Sequence, residues 1–162
     1  MARILIADDD LMMRELLSAL LRSTGHEVMA AVNGYEALRL FSEESFDLVT
    51  TDRNMPVMDG SILAKRIKQK SPHTPVIMIT GEAIDDEYRQ SKCKYVDVIL
   101  SKPFTRKVIN QAVTGLVASQ SFNQKVEMHK TNRKLKKNYL PPVLEKQDGV
   151  EMQQFQTGRR QP

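Results

Sequence analysis

The chain has one cysteine and three histidines among its 162 residues, and no tryptophan. A lone Cys93 excludes an internal disulfide and the stapled secreted class with it, so the expected compartment is a reducing cytoplasm. No apolar run approaches the ~18 residues that a membrane-spanning helix needs. The opening run Arg3-Ile4-Leu5-Ile6-Ala7 reaches Asp8 too soon for a signal peptide. His26, His73 and His129 are scattered and sit in no recognisable motif. There is no internal repeat, and no helix-turn-helix or winged module of the kind that reads DNA.

What the chain does have is the composition of a soluble globular domain, 41% hydrophobic and 27% charged. Its net charge of +4 is unevenly placed. Residues 1–120 carry 15 basic and 16 acidic side chains, whereas residues 121–162 carry 9 and 4. The excess positive charge therefore belongs to the last quarter, and the globular part is close to neutral. This division predicts a domain over 1–120 and a basic C-terminal extension over 121–162. The extension is expected to be helical at first, prolonging the last helix, and disordered after Pro141-Pro142, where the composition cannot bury enough surface to offset chain entropy. The basic run Lys130 to Lys137 reads as a solvated face, with an acidic protein partner or weak nucleic-acid contact as alternatives.

Within residues 1–120, short apolar runs alternate with helical patterns. Strands are predicted at 3–7, 28–32, 46–51, 76–79 and 96–100. Helices are predicted over about 11–24, from Asn33 onward, over 61–70, over about 82–92 and after Pro103. Asp10 and Asn33 read as N-caps. Met13, Leu16, Leu17, Leu20 and Leu21 in the first helix, and Ile62, Leu63 and Ile67 in the third, are the expected inward residues, with Val108, Ile109, Ala112, Val113 and Leu116 in the last. Met55 and Met58 read as loop and core filling. Five strands alternating with five helices predict an α/β fold, a doubly wound parallel sheet covered on both faces.

Polar side chains stand where four of these strands end. Asp8 and Asp9 follow the first, Asp52 the third, Thr80 ends the fourth and Lys102 follows the fifth. Strand ends of an open α/β sheet converge on one crevice, where ligands bind. Three carboxylates, a hydroxyl and an ammonium there suit a hard divalent cation and a phosphoryl group. Asp52 is placed to act as a nucleophile toward phosphorus. Crowded carboxylates raise the pKa of at least one of them until a cation relieves the repulsion. Most X–Pro bonds are trans, but a cis bond at Lys102–Pro103 would aim the ammonium into the crevice.

These pieces resemble the receiver domains of two-component response regulators, the single-domain chemotaxis-like receivers included. The matching segments are Ile4-Leu5-Ile6-Ala7-Asp8-Asp9-Asp10, Asp52 through Gly60, Val76-Ile77-Met78-Ile79-Thr80-Gly81 and Ser101-Lys102-Pro103-Phe104. The resemblance covers roughly residues 1–120 and implies a flavodoxin-like receiver. It implies that Asp52 accepts a phosphoryl group from a histidine kinase or histidine phosphotransfer protein. Mg²⁺ would be held by Asp8, Asp9, Asp52 and the backbone carbonyl of Asn54, with Thr80 and Lys102 contacting the phosphoryl group. Output would pass by protein–protein contact to a downstream protein target, with no DNA-binding domain, no membrane span and no enzymatic turnover beyond self-catalysed transfer and slow autodephosphorylation. Asn54 and Glu82, two residues beyond Asp52 and Thr80, would border the phosphoryl group and favour a self-decaying signal. One departure stands out: Ile99 occupies the position, three before the lysine, where the family commonly carries an aromatic switch residue. The rival readings are an Mg²⁺-dependent phosphohydrolase with an aspartyl nucleophile, disfavoured because Asn54 replaces the second acid such enzymes keep, and a non-phosphorylated pseudo-receiver scaffold.

Overall fold

The strands of this protein are almost wholly apolar because both of their faces are covered. In the computed structural model, which describes residues 1–120, the elements run β1 (Arg3–Ala7), α1 (Leu11–Arg22), β2 (Glu27–Ala31), α2 (Gly34–Glu43), β3 (Leu48–Asp52), α3 (Gly60–Lys70), β4 (Val76–Thr80), α4 (Asp86–Lys92) and β5 (Val98–Ser101). A final helix, α5, runs over 106–120. The predicted extension over 121–162 lies outside the described residues. All strand pairs are parallel, in the order β2-β1-β3-β4-β5. This is the doubly wound parallel sheet that the alternation of strands and helices predicts, in the flavodoxin-like strand order that the resemblance implies.

The two-fold alternation along a strand sends successive side chains to opposite faces, and β1 shows it directly. Ile4 and Ile6 join Leu17, Leu21, Ile109 and Val113, which places α1 and α5 on one face. Leu5 and Ala7 join Ala37, Leu63, Ala64 and Ile67, which places α2 and α3 on the other. Every residue of β4 is buried. Four helices begin on a side chain that accepts backbone N–H groups: Asp10, Asn33, Asp59 and Asp85. Each cap fixes where a loop above the sheet gives way to helix.

Several boundaries and faces differ from the sequence reading. The fourth helix begins at Asp86 rather than near residue 82, because Asp85 Oδ1 accepts the Tyr88 N–H at 2.7 Å and so sets the first turn. β5 begins at Val98 rather than residue 96; Val96 N–H closes a turn onto the Cys93 carbonyl instead. Ile62 and Val108 are 45% and 41% exposed, not inward. At 3.6 residues per turn the buried set of α3 is Gly60, Ser61, Leu63, Ala64 and Ile67, which leaves Ile62 off that face. In α1, Leu17 and Leu21 are buried and Met13 and Leu20 pack at the margin, whereas Leu16 is 49% exposed and not inward.

Candidate functional site

β1 and β3 are neighbours with Ala7 opposite Thr51, so Asp8 and Asp52 leave the sheet side by side at the same end. This is also where the strand order reverses, β2 lying on one side of β1 and β3 on the other, the place where open α/β sheets bind ligands. Thr80 ends β4 in register with Ser101 of β5, and Lys102 follows at once. The Lys102–Pro103 peptide is cis. Topology alone therefore gathers groups from residues 8, 52, 80 and 102.

The ammonium of Lys102 ties the crevice together. Its Nζ lies 2.6 Å from Asp52 Oδ1 and 3.1 Å from Asp8 Oδ2. The remaining carboxylate oxygens take backbone donors: Asn54 N–H to Asp52 Oδ2 at 2.7 Å, and Asp10 N–H to Asp8 Oδ1 at 2.9 Å. Asp8 is 1% exposed. Burial pushes its carboxyl above the usual range, more strongly than the Asp10 N–H and Lys102 pull it down. For Lys102, burial acts to lower the pKa, yet the hydrogen bond to Asp52 and the charges of Asp52 and Asp8 outweigh it and leave the ammonium firmly protonated. Lys102 and Asp52 are thus held as a pair that Asp8 completes from beneath.

The loop from Arg53 to Asp59 is built tightly against its neighbours. Thr51 Oγ1 donates to the Asp52 carbonyl at 2.9 Å, and Gly60 N–H donates to the Arg53 carbonyl at 2.9 Å. A Cβ on Gly60 would stand 2.1 Å from the Asp52 carbonyl oxygen, and one on Gly34 would stand 2.5 Å from the Met58 carbonyl oxygen. Met55 is buried in the core and Met58 packs beside it, the filling role expected of both. Between them Val57 has φ of 70° and is 83% exposed. A β-branched residue in the left-handed region is strained, at about 1–3 kcal/mol. Val57→Gly should therefore raise stability by about 1 kcal/mol in denaturant unfolding; an unchanged or lower midpoint would mean the loop carries no strain there.

The rim above this loop is closed by side chains from two strand ends. Asn54 Nδ2 donates to Glu82 Oε1 at 2.7 Å, and Arg53 Nη1 pairs with Glu82 Oε2 at 3.2 Å. The Arg53 guanidinium also donates to the Ala83 carbonyl at 3.3 Å and lies 3.8 Å from the centre of the Tyr88 ring on α4. Glu82 N–H donates to Thr80 Oγ1 at 3.1 Å, which fixes the buried hydroxyl beneath the rim. The sequence reading marked Asn54 and Glu82 but not Arg53, Tyr88, Gly34 or Gly60. Arg53 and Gly60 lie within the matching segment Asp52 through Gly60 but carry no assigned role there, and nothing in a linear pattern announces Tyr88 or Gly34.

Of the predicted metal set, Asp8 and Asp52 meet through Lys102, whereas Asp9 is exposed. Among the described residues no three acidic, histidine or cysteine side chains converge as a ready-made metal cluster. The donor chemistry still suits Mg²⁺, which takes oxygen ligands and is usually held by only one or two carboxylates, with waters and phosphate oxygens supplying the rest. The buried, repelled carboxyl of Asp8 is the group such a charge would relieve.

Comparison with known proteins agrees with this geometry. Residues 4–114 match the family model described as response regulator receiver domain. The chain is 40% identical over 111 residues to the sensor histidine kinase RcsC of Escherichia coli strain K12, an alignment covering 68% of the chain and 12% of that protein. It spans only a small part of the sensor kinases it matches. It is 38% identical to the response regulator receiver protein CpdR of Brucella abortus, covering 74% of the chain and all of that protein. Among solved structures, the response regulator TrrA of Thermotoga maritima, described in complex with Mg(2+)-BeF, superposes with a TM-score of 0.66 at 33% identity, covering 72% of this chain and 99% of that one. The Vibrio cholerae chemotaxis protein CheY4 gives 0.67 at 31% identity, covering 72% and 98%.

Proposed function

The chain belongs to the response regulator receiver domain family, and from that premise we propose that Asp52 accepts a phosphoryl group from a histidine kinase or histidine phosphotransfer protein. The observation that carries this reading is the Lys102 ammonium, which lies within hydrogen-bonding distance of both Asp52 and Asp8 at the β1–β3 switch point. The Asn54 N–H fixes the Asp52 carboxylate through Oδ2, leaving Oδ1 on the Lys102 side to bond to phosphorus. As that bond forms, the phosphorus–nitrogen bond of the donor breaks, and its electron pair and a proton remain on the donor imidazole. Lys102 exchanges its contact with Oδ1 for the incoming phosphoryl oxygens, and Asp8 holds the ammonium in the crevice meanwhile. Thr80 offers its hydroxyl to another phosphoryl oxygen. Mg²⁺ would be held by Asp8, Asp9, Asp52 and the Asn54 carbonyl, and when bound it neutralises the phosphoryl oxygens as the carboxylate approaches.

The same proposal includes a phosphoacceptor domain over 1–120, a C-terminal extension dispensable for the chemistry, a cytoplasmic setting and a protein target as output. Every reactive group named lies before residue 105. No described helix is long and apolar enough to cross a membrane. Ile99 lies in β5 and is only half-buried, so it offers no aromatic switch at that position.

The chain, whole and ending at residue 120, should gain one labile phosphoryl mass when incubated with a small phosphodonor and Mg²⁺. Steady turnover of a phosphoester would instead mean a phosphohydrolase, and neither outcome a scaffold. Mg²⁺ should also raise the melting temperature by mass action. Asp9→Ala should weaken that response; a variant responding like wild type removes Asp9 from the ligand set. The pH dependence has a definite sign. The Asp8 carboxyl is raised in the folded state, so its ionisation costs stability as pH climbs from the unfolded-state value through the raised one. Below that window the proton takes the cation's place, and the Mg²⁺ response should fade there.

A further inference from the structure

Asn54 and Glu82 are bonded to each other across the rim, and a third residue holds the pair in place. The Arg53 side chain is only 18% exposed, unusual for an arginine outside a structural or functional contact. It is fixed on three sides: the Ala83 carbonyl, the Glu82 carboxylate and the Tyr88 ring. Guanidinium over an aromatic face is an attractive, partly desolvated arrangement that limits the rotamers open to the arginine. The ion pair therefore has a fixed anchor at its Arg53 end, while Glu82 itself stays 59% exposed.

We propose that Arg53 is a positioning residue for hydrolysis of the phosphoryl group on Asp52, holding the Glu82 carboxylate at the rim, with Tyr88 of α4 as its support. The inference rests on the phosphoacceptor reading of Asp52. In the hydrolytic step a water oxygen bonds to phosphorus while the bond from phosphorus to Asp52 breaks. The electron pair returns to the Asp52 carboxylate, and both water protons leave on the inorganic phosphate. The water must enter in line with the departing aspartyl oxygen. A carboxylate has about four lone-pair sites, so Glu82 can accept from Asn54, from Arg53 and still from a water. Without Arg53, the charge of Glu82 faces a doubly charged phosphoryl group uncompensated, and the Asn54 amide alone, against that repulsion, no longer keeps the exposed side chain over the site. The water then loses its acceptor and hydrolysis slows. This assigns to Tyr88 on α4 a link to the phosphoryl group that does not pass through position 99. A partner that draws α4 away would lengthen the signal.

The test follows decay of the adduct after loading the full chain with a small phosphodonor and Mg²⁺ and removing the donor. Arg53→Gln and Tyr88→Ala should each slow decay by about two- to fivefold, the range an exposed ion pair commands, while Tyr88→Phe keeps the ring and the wild-type rate. Glu82→Gln should slow decay too, and adding Arg53→Gln to it should change nothing more. A merely structural role would give additive effects and a lowered melting temperature. Unchanged decay in Arg53→Gln, or additive slowing in the double variant, overturns the inference while leaving Asp52 as acceptor. Failure of the unaltered chain to form any adduct overturns both.

Discussion

Asp52→Asn should reduce phosphoryl uptake to background while the domain stays folded. An amide is no nucleophile toward phosphorus, and no neighbouring carboxylate is placed to substitute. Asp8 is 1% exposed and both its oxygens are engaged, one by Lys102 and one by the Asp10 N–H. Asp9 is exposed, and the Lys102 ammonium pairs with Asp8 and Asp52 instead. The fold should survive because the buried Asp8 keeps the Lys102 ammonium paired at 3.1 Å, so no buried cation is left alone. The Asn54 N–H keeps an acceptor as well, since the new amide oxygen can replace Oδ2. The measurement is intact mass after exposure to a small phosphodonor and Mg²⁺, with thermal melting beside it. Stoichiometric uptake by the variant would move the phosphoacceptor elsewhere.

Much of the fold could be read from the chain because a doubly covered parallel sheet writes its strands as apolar runs. A polar residue that ends such a run is conspicuous, and Asp8, Asp52, Thr80 and Lys102 are all of that kind. Asp10 and Asn33 were legible as caps for a related reason: short acceptors stand immediately before a helical period. The unread parts depend on how loops meet in space. Arg53, Glu82 and Tyr88 are brought together by the place where α4 begins, which Asp85 moves several residues along from the expected start. Of the three acids expected to crowd one another, Asp8 and Asp52 do so, with Lys102 between them, whereas Asp9 turns out to the surface, a division fixed by the register of β1 and β3 and by the reach of a lysine side chain across β4. Ile62 misled because apolar character alone does not tell which side of a short helix faces inward.

Gly60→Ala should be among the most damaging single changes outside the reactive groups, although it adds one methyl. The added Cβ would lie 2.1 Å from the Asp52 carbonyl oxygen, 2.9 Å from Thr51 Oγ1 and 3.1 Å from the Asp52 carbonyl carbon. None of these is the end of a flexible side chain. Two are backbone atoms of the residue that carries the nucleophile, and the third is a hydroxyl already donating to that same carbonyl. Relief requires β3 and the start of α3 to move apart. That separation breaks the Gly60 N–H bond to the Arg53 carbonyl and withdraws the Asn54 N–H that orients Asp52. Overpacking of this kind costs about 1–3 kcal/mol and occasionally more, and for a domain of about 120 residues each ~1 kcal/mol lowers melting by about 3–6 °C. The variant should melt roughly 3–18 °C below wild type, and what remains folded should load phosphate slowly. Gly81→Ala is the control, since Gly81 adjoins Thr80 but a Cβ there meets nothing within 4 Å. It should melt and load like wild type. If Gly60→Ala does the same, the close approach of α3 to the Asp52 carbonyl does not exist in solution, and the tight coupling between that helix and the phosphoacceptor loop goes with it.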